Sequence, residues 1–155
     1  MDLTARFLKL IWQRRLYTAA GLATADGKPI LILSPGRPND DVGPDFIGAR
    51  IRIGTITYQG DVELHRTAHD WHVHGHQNDP HYNSVILHVV LSDERIRPPA
   101  VTAAHRQLPL LVLHPFLDSA TRPSLMASLS DQTADAMSAL PCRTRYEEVS
   151  TPALR

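Results

Sequence analysis

The run Val85-Ile-Leu-His-Val-Val-Leu91 constrains the fold more than any other stretch of the chain. It is apolar at both odd and even positions, so as a strand it offers no face to water. Such a strand belongs in the middle of a sheet covered on each side, which points to layered α/β architecture. Two further runs fit the same sheet. Ala49, Ile51 and Ile53 alternate with Arg50 and Arg52, and Val62 and Leu64 alternate with Glu63 and His65, the period-two pattern of strands. Gln59-Gly60-Asp61 reads as the turn that joins them into a hairpin. Pro29-Ile-Leu-Ile-Leu33 and Leu108-Pro-Leu-Leu-Val-Leu113 each read as one more strand. The expectation is a mixed sheet of about four or five strands flanked by helices.

Leu3, Phe7, Leu10 and Ile11 recur at helical spacing with Lys9, Gln13 and Arg14 on the other side. This predicts an amphipathic helix over residues 3–18, with Asp2 as its cap. Three prolines and two glycines between Ser34 and Pro44 predict an ordered loop, because fixed φ angles and missing donors break regular elements. Asp79-Pro80 opens a short helix, and Ser124 to Leu140 has helical composition. Residues 1–142 form a single expected domain, and residues 143–155 a loosely ordered tail.

Charge narrows the partners. Sixteen basic residues balance sixteen acidic ones, so no global attraction to nucleic acid is expected. Arg50, Arg52, Arg66, Arg95, Arg97 and Arg106 still leave room for a local basic surface, and nucleic acid stays a candidate partner. The single cysteine, Cys142, excludes an internal disulfide and fits a reducing, cytoplasmic compartment. Arg6, Lys9, Arg14 and Arg15 interrupt the N-terminal apolar residues, so that segment has neither the signal-peptide nor the membrane-span pattern.

Seven of the nine histidines lie between His65 and His88. Histidine is the commonest protein metal ligand, so this crowding points to a site. His72, His74 and His76 are two apart, and on an extended strand would share one face. Together with His65, and with Asp70, Asp79 or His81 completing the set, they offer ligands for Zn²⁺ or Fe²⁺ in a cupin-like β-barrel. His88, inside the apolar run, also fits a buried, hydrogen-bonded core histidine.

A second arrangement overlaps the first. Asp45 opens one strand, and Glu63 and His65 share a face of the next. Two carboxylates so placed bind a hard cation such as Mg²⁺ or Mn²⁺, which activates water, while the nearby base positions that water. Strand parity places Asp45 with Ile51 and Ile53 unless Gly48 marks an irregularity.

Pro44-Asp45, a hairpin-length gap and Glu63-x-His65 resemble the PD-(D/E)xK phosphodiesterase superfamily. The expected order of helix, three strands, short helix and strand is also that of its restriction-endonuclease-like core. His65 stands where that superfamily has lysine, and Gln13 where its first helix can carry an acid. The resemblance implies Asp45 and Glu63 as metal ligands and His65 as the lysine substitute, with His72, His74, His76, Asp79 and His88 as supporting or alternative ligands.

A longer signature runs through Ile11-Trp12-Gln13, Ser34-Pro35-Gly36, Asn39 and Gly43-Pro44-Asp45-Phe46. It continues through Gly60-Asp61-Val62-Glu63-Leu64-His65, Asp70-Trp71, His74-x-His76, Asp79, Tyr82 and Val85 to Val90. This resembles the bacterial family called domain of unknown function 2851, whose members are longer, so the chain is expected to be the N-terminal portion of that architecture. Three functions compete at this point. They are a divalent-metal phosphodiesterase, a histidine-ligated Zn²⁺ or Fe²⁺ protein, and a non-catalytic module whose histidines and Trp71 serve packing.

Overall fold

The computed structural model describes residues 3–92 and 98–118, together with Thr121, Pro123 and Ala127. Asp2, Cys142, the 143–155 tail and, apart from Ala127, the expected helical stretch from Ser124 to Leu140 lie outside them.

Helix α1 (Leu3–Arg14) buries Thr4, Leu8, Ile11 and Trp12. It stops four residues before the expected end at 18 because Arg15 turns left-handed, at φ 55°. Leu16 N–H then donates to Ile11 O at 2.9 Å, the closing bond of a Schellman turn. A left-handed arginine costs about 1 kcal/mol. Its guanidinium offsets that by donating to the carbonyls of Ile32 and Leu33, at 3.1 and 3.3 Å.

The strands are β1 (Ile30–Ser34), β2 (Arg37–Pro38), β3 (Phe46–Ile53), β4 (Ile56–Thr67), β5 (Val85–Ser92) and β6 (Leu110–Val112). They make one six-stranded mixed sheet, ordered β1-β3-β4-β5-β6 with β2 also on β3. The β1–β3 and β3–β4 pairs are antiparallel, while β4–β5 and β5–β6 are parallel. The α/β class and the mixed sheet agree with the sequence pattern, the sheet has one strand more than the four or five expected, and β5 is central and buried from Val85 to Leu91. The expected loop from Ser34 to Pro44 contains one short strand, β2, paired with Ile47 and Phe46. The ordered path from β1 to β6 leaves two sheet edges among the described residues, so the cupin-like barrel is not what these strands form.

One face carries the main core, in which Leu8, Ile11 and Trp12 meet Ile51, Val62, Leu64, Leu87 and Val89. On the other face Trp71, Tyr82, Val85 and Leu108 form a smaller cluster. Both are fixed by the alternation along β4 and β5, each covered on two sides. Among the described residues no helix is long and apolar enough to cross a membrane.

The hairpin turn falls at Gly54-Thr55, and Gly60 lies inside β4. This corrects the expected turn at Gln59-Gly60-Asp61. Gly60 is there for proximity: an added Cβ would meet Ile86 Cγ2 and Ser84 O at 2.5 Å each. Ser84 O also accepts the Asp61 N–H, at 2.9 Å, so that backbone cannot retreat freely. Gly60→Ala is expected to cost about 1–3 kcal/mol. The loss would appear as a lower denaturant midpoint at unchanged slope. A wild-type midpoint would show that β4 and β5 separate there without penalty.

Candidate metal centre

Alternation along β4 turns Glu63 and His65 away from the α1 core, and both are buried, with 6% of each exposed. Asp45 reaches them because β3 is irregular where Gly48 predicted it. The β3–β4 register shifts between Phe46 and Ala49, Gly48 takes φ 73°, and its N–H donates to Asp61 Oδ1 at 3.1 Å. Asp45 and Glu63 are then tied reciprocally. Asp45 N–H donates to Glu63 Oε2 at 3.0 Å, and Leu64 N–H donates to Asp45 Oδ2 at 3.0 Å. Asp45 Oδ1 faces the ammonium of Lys9 on α1, also at 3.0 Å.

The connection between β4 and β5 brings two histidines to this spot. Helix α2 (Asp70–Val73) makes one turn, and Gly75 at φ 73° reverses the chain before the 3₁₀ turn His76–Asn78. His74 and His76 thus converge from a helix end and a 3₁₀ start, and the segment is not the extended strand that the two-residue spacing predicted. His76 is buried, stacked on Tyr82 with ring centroids 3.8 Å apart and edge-on to Trp71 at 5.1 Å. Trp71 is locked by its Nε1–H bond to Val101 O, at 3.0 Å.

His65, His74 and His76 offer ring nitrogens that all lie within 4.8 Å of one another, and such a group can hold a metal ion. His65 Nε2 is 3.1 Å from His74 Nδ1. Glu63 Oε1 is 3.4 Å from both His65 Nε2 and His76 Nε2. Zinc bonds of about 2.0–2.1 Å in a tetrahedron set neighbouring donors roughly 3.3–3.4 Å apart; the two Glu63 separations match that span, and the three histidine nitrogens lie within 4.8 Å of one another. His76 Nε2 is buried and makes no hydrogen bond of acceptable geometry. An orphaned nitrogen aimed at a carboxylate and two other imidazoles is what a missing cation leaves behind.

Electrostatics agree. Burial, reinforced by the Asp45 charge, pushes Glu63 up to about 9. Burial and the surrounding imidazoles of His88, His76 and His74 push His65 down to about 2. Burial also lowers His76, although Asp79 and Asp45 pull it back up. Without an ion, burial therefore favours a protonated Glu63 and neutral His65 and His76. A cation placed among them would favour the ionised carboxylate and leave the imidazoles as lone-pair donors.

Several expected members are elsewhere. His72 points away, with Nε2 3.3 Å from Pro98 O, because a helical turn separates alternate residues that a strand would align. Asp79 is used locally, accepting from the His81 backbone at 3.0 Å and meeting its ring at 2.8 Å. Asp70 accepts the Thr67 N–H at 3.2 Å. His88 is the buried core histidine expected, 1% exposed, and its Nε2 meets His65 Nδ1 at 2.8 Å. Lys9 as a partner of Asp45 was not anticipated, whereas Trp71 packs as the non-catalytic reading expected, with Tyr82 beside it. Lys9 flanks the apolar stripe beside Leu8, the kind of border position from which a long side chain reaches past the sheet end.

A family model described as "Protein of unknown function (DUF2851)" matches residues 5–155. The chain belongs to this family. No curated protein and no solved structure gives a significant match. The family description carries no activity, so the chemistry of this DUF2851 chain rests on the geometry of its cluster.

Proposed function

We propose that the protein is a metal-dependent hydrolase of phosphodiesters, with one transition-metal ion held by His65, His74 and His76 and completed by Glu63. The observation that carries this reading is the convergence of three ring nitrogens within 4.8 Å of one another, with a carboxylate oxygen 3.4 Å from two of them. Imidazole donors favour Zn²⁺ or Fe²⁺ over Mg²⁺ and Mn²⁺. His74 is exposed, so the ion would be reachable from solvent, and water would enter as a fifth ligand, since the three histidines and Glu63 would fill a four-coordinate shell. A bound divalent ion would activate water and neutralise phosphate charge. Asp45, beside Glu63, would orient that water, and Lys9 would face the anionic substrate.

The helix, antiparallel strands, short helix and parallel strand support a restriction-endonuclease-like ancestry for this arrangement. Exposed Arg50 and Arg52 on β3 favour a polymeric phosphodiester such as nucleic acid over a small one.

Zn²⁺ titration is expected to saturate at one ion per chain. At a free concentration about 100 times its Kd, the ion should add about 2.7 kcal/mol and raise Tm by roughly 5–10 °C. The loaded protein should hydrolyse bis(p-nitrophenyl) phosphate and cleave single-stranded DNA or RNA, and lose both activities with chelator. Tight binding without hydrolysis would leave a metal protein of another kind, and no binding would end the reading.

A further inference from the structure

We propose that His88 is the positioning residue of this centre, which holds His65 in the one tautomer and orientation that can ligate. The inference rests on the metal reading above and adds a residue that does not itself touch the ion.

An imidazole that gives Nε2 to a metal carries its proton on Nδ1, and that proton needs an acceptor. His65 Nε2 faces the cluster, at 3.1 Å from His74 and 3.4 Å from Glu63. Among the described residues its Nδ1 meets one ring nitrogen, His88 Nε2 at 2.8 Å. For His65 to ligate through Nε2, its Nδ1–H must donate to His88 Nε2, and the His88 proton then sits on the buried Nδ1. One hydrogen bond thereby sets the tautomers of two rings.

His88 is built to hold still. It lies on the central strand β5, in register with Glu63 of β4 on one side and Leu110 of β6 on the other. Its N–H donates to Pro109 O at 3.0 Å. Its ring lies 5.3 Å from the Trp71 ring and perpendicular to His65, at 82°. A residue clamped by two parallel neighbours and an indole has no alternative rotamer to offer. Ligating histidines are usually oriented by a carboxylate or a carbonyl. Here an imidazole takes that place, so the partner behind His65 is not a carboxylate.

His88→Phe removes the acceptor and keeps a planar ring. The cavity of about 700 Å³ that His88 lines provides room for the change. His88→Gln restores an acceptor oxygen. Co²⁺ is the probe, because its visible absorption reports ligand geometry. Phe is expected to weaken Co²⁺ binding by about 10–100-fold and alter the spectrum, and Gln to recover most of both. Wild-type affinity and spectrum in the Phe variant, or no recovery with Gln, would overturn the assignment.

Nitrogen-15 NMR of the wild-type histidines supplies a second readout that needs neither variant to fold. The metal-free and Zn²⁺-loaded proteins should both show the Nδ1–H tautomer at His65 and at His88. An Nε2–H tautomer at His65 would overturn the role of His88 even if zinc binds. The expected tautomers without any metal binding would remove the metal reading and leave the orienting bond established.

Discussion

Glu63→Gln is expected to move metal affinity and metal-free stability in opposite directions. Affinity for Zn²⁺ should fall by on the order of 100-fold or more, since the carboxylate that meets His65 and His76 is lost. Stability of the metal-free protein should instead rise near neutral pH. Glu63 is raised to about 9 by burial and by the Asp45 charge, so the folded state keeps it protonated while the unfolded chain ionises it above about 4.5. Its favourable contribution is complete below the unfolded value and is lost progressively as pH rises toward 9. At pH 7 that is a penalty on the order of 2–3 kcal/mol, and glutamine, which mimics the protonated acid, removes it. Denaturant unfolding with chelator should show the variant more stable than wild type at pH 8 and equal to it near pH 4. A variant destabilised at both values would show that Glu63 is ionised in the metal-free fold.

The same shift predicts a calorimetric signature. Zinc binding at pH 7 should release about one proton from Glu63, so the measured enthalpy should change with the ionisation enthalpy of the buffer. That dependence should vanish in Glu63→Gln. His65 acts on the acid side. Its folded value is depressed to about 2, so its contribution is complete above the unfolded value near 6.5 and fades as pH falls below it. Metal-free protein is therefore expected to lose stability from both directions, and metal to restore most on the alkaline side.

The largest effect on the fold is expected from Trp12→Ala, at about 3–5 kcal/mol, a large part of the total stability of a domain this size. Trp12 is fully buried, stacks on Tyr17 with ring centroids 6.0 Å apart, and donates from Nε1 to Pro35 O at 2.9 Å. That last bond fastens α1 to the segment that leads into Asp45. Trp12→Phe should keep most of the packing and lose about 1 kcal/mol for the hydrogen bond. Urea midpoints of the two variants separate these contributions. A Phe variant as unstable as the Ala variant would place the energy in the indole N–H.

The sheet was legible because its signals were periodic. β5 reads as a central strand from residues 85–91 alone, and the irregularity at Gly48 followed from the parity conflict between Asp45 and Ile51. Gly60 misled because a glycine between polar residues looks like a turn, whereas here it admits the carbonyl of Ser84, the residue just before β5. The histidines told a similar story. Their crowding pointed to the right region, but the strand rule grouped His72 with His74 and His76. Gly75 and the α2 turn sort them differently, because the shape of a crossover depends on the layers it spans. Lys9 was read correctly as polar-face, yet nothing in a single helix says that this face ends beside Asp45.

The parallel pairing of β4 and β5 has a further consequence. Parallel neighbours cannot be joined by a tight turn, so residues 68–84 must leave the sheet and return before His65 and His88 can meet. His74 and His76 lie inside that excursion, and the contacts they make close late, after the loop-closure entropy has been met. An ion seated there would act mainly on the barrier to opening. It should slow unfolding many-fold and leave the folding rate almost unchanged, so the occupied protein would be distinguished above all by its lifetime.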